Sequence, residues 1–178
     1  KVIAFDRDSK SKNIAIKFKQ KFQNRFEFYN KKFSDIDSIK LPKTIDGIIF
    51  DLGFSYNQIK DESKCLSFNH SGQLNMKMGC NNISADDIIN KLPAKDLEKI
   101  FKYFGDEKNS KIIARKIARE REIKNINTES LVKLINLSKK TFTKKNKATK
   151  IFQALRILVN EEISELISAL SKSCNLIS

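Results

Sequence analysis

Residues Asp46 to Gln58 read DGIIFDLGFSYNQ, and the fold turns on how this stretch is understood. A short apolar run, Ile48-Ile49-Phe50, delivers Asp51 and then Leu52 and Gly53 into a polar loop. An α/β enzyme presents a carboxylate in this way, at the end of a buried strand, where ligands collect outside the carboxyl edge of the sheet. Asp51 is therefore the first candidate functional residue. Its plainer reading is a turn or helix-cap aspartate.

Working towards the N-terminus, KVIAFDRD at Lys1 to Asp8 predicts a strand that ends at Asp6. Ile14, Phe18 and Phe22 recur every four residues in Ser11 to Phe22, which predicts an amphipathic helix with those three on its apolar face. A second short apolar segment, Phe26 to Tyr29, completes a βαβ unit and implies a parallel sheet covered by helices. The strand expected over Asp46 to Leu52 would extend that sheet. A strand so close to the first residue suggests further chain upstream.

Towards the C-terminus the texture changes. Ser63 to Asn82 holds Gly72, Gly79 and the alternating Leu74 to Met78 (LNMKM), and reads as an ordered loop or lid. From Ser84 onward helices dominate. Ser84 and Asp87 form a capping-box pattern, and Pro93 opens a helix with Leu97, Ile100, Phe101 and Phe104 inward and Gly105 at its C-cap. A third helix over about 110–123 turns Ile113 and Ile117 inward, and Thr128 starts a fourth with Leu131, Leu134 and Ile135 buried. One long helix is predicted from Phe152 to Ser173, with Leu155, Val159, Ile163, Leu166 and Leu170 along one side.

A chain of 178 residues with 40% hydrophobic content can bury a genuine core. It has no apolar run long enough for a membrane helix and no signal-peptide pattern at its start, so a cytoplasmic location is expected. Three cysteines (Cys65, Cys80, Cys174) and the single His70 make no convincing zinc set, so no metal is expected. The net charge of +14 favours polyanions through counterion release. The basic residues are uneven: Lys139 to Lys150 carries six lysines and no acid, whereas Ile151 to Ser178 carries three glutamates. The plainer source of such lysines is a solvated connector in a compositionally biased proteome.

Seven separated motifs occur together and in order: FDRD at Phe5 to Asp8, KFSDI at Lys32 to Ile36, DGIIFDLGFSYNQ at Asp46 to Gln58, LSFNHSGQLNMKM at Leu66 to Met78, SADDIIN at Ser84 to Asn90, FGDEKNSKIIARKIA at Phe104 to Ala118, and FQALRILVNEEISEL at Phe152 to Leu166. In these the chain resembles the RsmH (MraW) family of small-subunit ribosomal RNA methyltransferases. The resemblance covers almost the whole chain but only the middle of the family's length, since such proteins begin with a glycine-rich loop and end with further strands. It implies an α/β, Rossmann-like S-adenosylmethionine methyltransferase core with an incomplete sheet, residues 1–75 and 146–178, and an inserted all-helical domain, residues 76–145.

The implied activity is methyl transfer from S-adenosylmethionine to the N4 amine of a cytidine, with small-subunit ribosomal RNA or a 30S-like particle as partner. The resemblance assigns Asp6, Phe33, Asp51 and Gln58 to the cofactor, with Asp51 also catalytic. Asp6 would accept hydrogen bonds from ribose hydroxyls and Phe33 would cover the adenine face. Plainer readings are a surface acid beside Arg7 for Asp6, a core ring for Phe33 and a structural amide for Gln58. Phosphates would meet Lys111, Arg115, Arg119, Lys145 and Lys147, and flipped bases the rings of Phe54, Tyr56 and Phe68. Departures from the family pattern are Tyr56 and Asn57 for serine and proline, Asn75 for a lid aspartate, Lys77 for arginine, Asn146 and Lys147 for a histidine-proline pair, and Lys150 and Ile151 for arginine and threonine. The rival expectations are a non-catalytic RNA-binding remnant of the family and a homodimer assembled through the last helix.

Overall fold

The computed structural model describes residues 1–42, 44–68, 72–79, 81–138 and 146–177. In chain order the regular elements are β1 (Val2–Phe5), α1 (Ser11–Phe22), β2 (Phe26–Tyr29), α2 (Tyr56–Lys60), α3 (Ala85–Lys91), α4 (Ala94–Tyr103), α5 (Ser110–Glu120), α6 (Thr128–Ser138), α7 (Thr149–Val159) and α8 (Glu162–Ser173), with short 3-10 turns between several of them. Two compact units result: residues 1–53 with 161–178, and residues 54–160. The chain is thus mixed helix and strand with a small parallel sheet.

In the first unit β1 and β2 pair in parallel, with Val2 opposite Phe26 and Phe5 opposite Tyr29. Parallel neighbours need a crossover, and α1 supplies it. The Phe5 and Tyr29 rings stack at 5.6 Å on one face of the pair. Helix α1 forms where its periodicity predicts, but its apolar face stays on the surface: Ile14 is 53% exposed, Phe18 is 45% exposed, and Ala15 is the residue it buries. Two strands are too narrow to cover that face, so Phe18 leans on Phe22 and Phe26 and an open apolar pocket of about 450 Å³ remains beside them.

The expected strand over Asp46 to Leu52 is not formed; one isolated parallel bridge joins Ile45 to Ile177, and Ile49 is 94% exposed. A strand persists only where a neighbour pairs its backbone groups, and among the described residues this run has none beyond that bridge. Helix α8 lies against the 3-10 segment Phe33–Ser38, where Lys172 donates to Ser34 O at 2.7 Å and to Asp37 at 2.8 Å. Lys32 bridges Glu161 at 2.7 Å and Glu165 at 2.9 Å.

Glu165 is nearly buried, and burial pushes its carboxyl up, but hydrogen bonds from Ser34 and Lys32 outweigh this and hold it below the ordinary value. A depressed folded pKa contributes stability that is present above the unfolded value of about 4.3 and lost as pH falls through the folded one. Glu165→Gln is therefore expected to destabilise the chain by about 1 kcal/mol near pH 7 and to flatten its acid unfolding, read by circular dichroism against pH.

The second unit is a helical core around the fully buried Leu97, Phe101, Ile113, Ile117, Leu131, Ile135, Ile151 and Leu155. Its start signals match the sequence. Ser84 and Asp87 close a full capping box, and Asp87 is held well below the usual carboxylate range by its bond to Lys91 and then by Ser84. Pro93 stands at the N-cap of α4. Gly105 has a different role from the cap expected of it, since Asp106 takes the left-handed conformation (φ 47°). A Cβ on Gly105 would lie 2.5 Å from Lys150 O and 2.9 Å from Phe101 O, so the glycine admits the backbone at the start of α7. Gly105→Ala is expected to cost about 1–3 kcal/mol in urea unfolding.

The predicted long helix from Phe152 to Ser173 is two helices, broken at Asn160 and at Glu161, which adopts φ 52°. The side chain of Asn160 turns back to bond Arg156 O and the loop at Met76, which ends α7. The apolar stripe is split accordingly: Val159 is buried in the second unit, while Ile163 and Leu170 of the first are about half exposed.

Candidate functional site

Asp6 follows β1 directly, and its backbone N–H extends the ladder to Tyr29 O at 3.2 Å. Its carboxylate organises the turn into α1: Oδ1 accepts from the Asp8 N–H at 2.7 Å, and Oδ2 accepts from the Ser11 hydroxyl. Asn30, just past β2, donates to Asp6 O at 2.7 Å and ties the two strand ends together. Phe33 begins the 3-10 turn three residues later, half-buried, and meets Phe50 edge to face at 5.9 Å. Phe50 precedes Asp51, whose carboxylate is exposed and has no partner among the described residues. The first unit thus gathers Asp6, Asn30 and Phe33 at the strand exits and brings the segment bearing Asp51 against Phe33.

Gln58 belongs to the second unit. It is the third residue of a capping box on α2, where its amide oxygen accepts from the Ser55 N–H at 2.9 Å and its N–H donates to Ser55 Oγ at 3.3 Å. Three aromatic candidates sit in the same unit. The Arg156 guanidinium lies 4.6 Å over the Phe54 ring, the Lys60 ammonium lies 4.5 Å over Tyr56, and Phe68 packs edge-on against Phe152 in the core.

Lys111, Arg115 and Arg119 recur at every fourth residue of α5, so they share one face, and all three are exposed without an ion-pair partner among the described residues. Lys147 is half-buried at the approach to α7. Lys145, Cys80 and His70 lie outside the described residues, as does most of the lysine-rich loop. Asn146 turns its side chain to its own chain, accepting from the Ala148 N–H at 2.9 Å, and Lys150 holds Asp106 at 2.9 Å.

The profile of the MraW methylase family matches residues 1–178. The chain belongs to that family. Similar curated proteins include the ribosomal RNA small subunit methyltransferase H of Wigglesworthia glossinidia brevipalpis, 41% identical over the whole of this chain and 59% of the relative. The protein of the same name from Orientia tsutsugamushi (strain Ikeda) is 36% identical over 99% of the chain and 59% of its own length. That of Bartonella tribocorum is 36% identical over 95% of the chain and 52% of its own length. This MraW-family chain therefore spans little more than half the length of these relatives.

Sequence reasoning missed Asn160 in this MraW-family chain. It is fully buried, and its amide donates to Met76 O at 2.8 Å and accepts from the Met78 N–H at 2.9 Å and from Asn81 Nδ2 at 2.7 Å. No local signal exposes this role, because asparagine is common where helices end. Among the described residues no helix is long and apolar enough to cross a membrane.

Proposed function

We propose that this chain is part of an S-adenosylmethionine-dependent methyltransferase that acts on the N4 amine of a cytidine in small-subunit ribosomal RNA. The observation that carries the reading is what a family member collects at its strand exits: Asp6 directly after β1, Phe33 in the turn that follows β2, and against Phe33 the ring of Phe50, whose chain neighbour is the unpartnered Asp51. Names borne by the relatives supply the substrate class. Within the proposal the strand-bearing part belongs to an incomplete Rossmann-like core and the helices after the lid to an inserted domain.

The residues present fit the adenosine half of the cofactor. Each oxygen of Asp6 accepts one local donor and keeps a further lone pair for a ribose hydroxyl. The Phe33 ring meets Phe50 with an edge contact, a geometry that leaves a face for stacking. When bound, the sulfonium supplies an activated methyl group. An exocyclic amine has its lone pair delocalised into the ring, so Asp51 would accept a hydrogen bond from N4, fix the amine in line, and take the proton that N4 loses as its bond to the methyl carbon forms and the carbon–sulfur bond breaks to leave a neutral thioether. The substrate implies a cytoplasmic protein.

The α5 stripe would track the RNA backbone. Replacing Lys111, Arg115 and Arg119 together by alanine is expected to lower the slope of log affinity against log salt for a small-subunit RNA fragment by about 2, at about 0.7 per phosphate contact on single strands, measured by fluorescence anisotropy. The proposal as a whole is tested by incubating the protein with tritiated S-adenosylmethionine and unmethylated small-subunit ribosomal RNA. Label recovered as N4-methylcytidine supports it, and label in another nucleoside contradicts it. A second reading, a non-catalytic RNA-binding remnant, draws on the amide oxygen of Gln58 being engaged by Ser55, and it predicts RNA binding with no transfer.

A further inference from the structure

We infer that the polar pocket of the second unit binds one nucleotide of single-stranded RNA, with the Lys77 ammonium on its phosphate and the Gln73 and Asn75 amides and the Glu62 carboxylate at the base edge. This deepens the reading of RNA as substrate and rests on it. The pocket is about 460 Å³ and is lined by Glu62, Ser63, Gln73, Asn75 and Lys77, among others. That volume exceeds what a lone phosphate fills and accommodates a base with its ribose.

Its wall is fastened in place. Leu74, Met76 and Met78 are buried in alternation, which turns Asn75 and Lys77 outward. The backbone between them is pinned from several sides: the Met76 N–H donates to Lys64 O at 2.7 Å, the Ala85 N–H to Asn75 O at 3.1 Å, and Asn160 holds both Met76 and Met78. The Asn75 amide also donates to Ser63 O at 3.0 Å, leaving its oxygen for a ligand donor. A pocket with walls ordered in advance binds without the entropic cost of ordering them.

Lys77 is half-buried, and its ammonium has no hydrogen bond or ion pair among the described residues. A cation in that position, in a chain of net charge +14, is matched by an anion brought from outside. The other groups are amides and a carboxylate, which read the donors and acceptors of a base edge, and a carboxylate selects a base bearing an exocyclic amine. Cys65 adds no chemistry, because burial pushes its thiol up and keeps it protonated.

The test is a nuclear magnetic resonance titration of the 178-residue chain, without cofactor, using cytidine 5′-monophosphate and a five-cytidine RNA as probes. Both are expected to move the amide signals of Gln73, Asn75 and Lys77, with the RNA binding more tightly. Lys77→Gln is expected to weaken both probes roughly threefold to tenfold, whereas Lys133→Gln, an equal loss of charge on the exposed side of α6, leaves them unchanged. Unmoved pocket signals, equal weakening by the two variants, or binding of the mononucleotide without the RNA would each overturn the inference. Methyl transfer plays no part in the readout, so a protein that methylates normally with a silent pocket refutes only the pocket. One that fills the pocket without methylating refutes only the enzymatic reading.

Discussion

Asn160→Leu is expected to cost about 3–6 kcal/mol, enough to unfold the helical unit or bring it to the edge of unfolding at 25 °C. Among the described residues the amide of Asn160 makes four bonds from a fully buried position: two donated, to Met76 O and Arg156 O, and two accepted, from Met78 N and Asn81 Nδ2. Leucine removes every partner at once. Met76 O and the Met78 N–H would be left deep in the protein, and each such group costs about 1–3 kcal/mol when unmade. Asn160→Asp keeps the acceptor and loses the donor to Met76 O, so an intermediate loss is expected. Gln153→Ala on the exposed side of α7 should stay within about 0.5 kcal/mol. Urea unfolding followed by circular dichroism measures all three, and equal midpoints for Asn160→Leu and Gln153→Ala would refute the role given to this amide.

Asp51→Asn carries the largest expected effect on chemistry. A positioned proton acceptor contributes about 10²–10⁴-fold to a rate, so kcat for methyl transfer to ribosomal RNA should fall at least about 100-fold. Asparagine preserves the shape and a hydrogen bond to the amine but cannot take its proton. The cofactor KM should therefore change much less than kcat, and Asp51 is exposed with no partner among the described residues, so the folded state should be unaffected. A variant retaining near-normal kcat would remove Asp51 from the proton path.

The helical unit was largely legible in the chain, because each helix carries its own local signals: the Ser84 box, Pro93 at the start of α4, and apolar residues on one side of α4, α5 and α6. The βαβ unit was legible for the same reason. What periodicity could not convey was dependence on partners. Ile48 to Phe50 has the composition of a buried strand, yet a strand exists only with a neighbour to pair it, and Ile49 is exposed instead. The break at Asn160 was hidden because Leu155, Val159 and Ile163 keep helical spacing across it, while the interaction that ends α7 comes from loop residues more than 75 positions away. Of the proposed site, the strand-end pattern pointed to Asp6 and Asp51, whereas Phe33 was singled out only by the family resemblance. Neither could tell that the Gln58 amide serves its own helix start.

Cofactor binding through Asp6 is measured by calorimetric titration of S-adenosylmethionine into the protein, alongside its Asp6→Ala variant. One site of micromolar affinity is expected in the parent chain, with a loss of at least tenfold when the Asp6 carboxylate is removed, since a hydrogen bond to a charged group is worth about 1.5–3 kcal/mol. Absence of saturable heat in the parent, or affinity indifferent to Asp6, would contradict it.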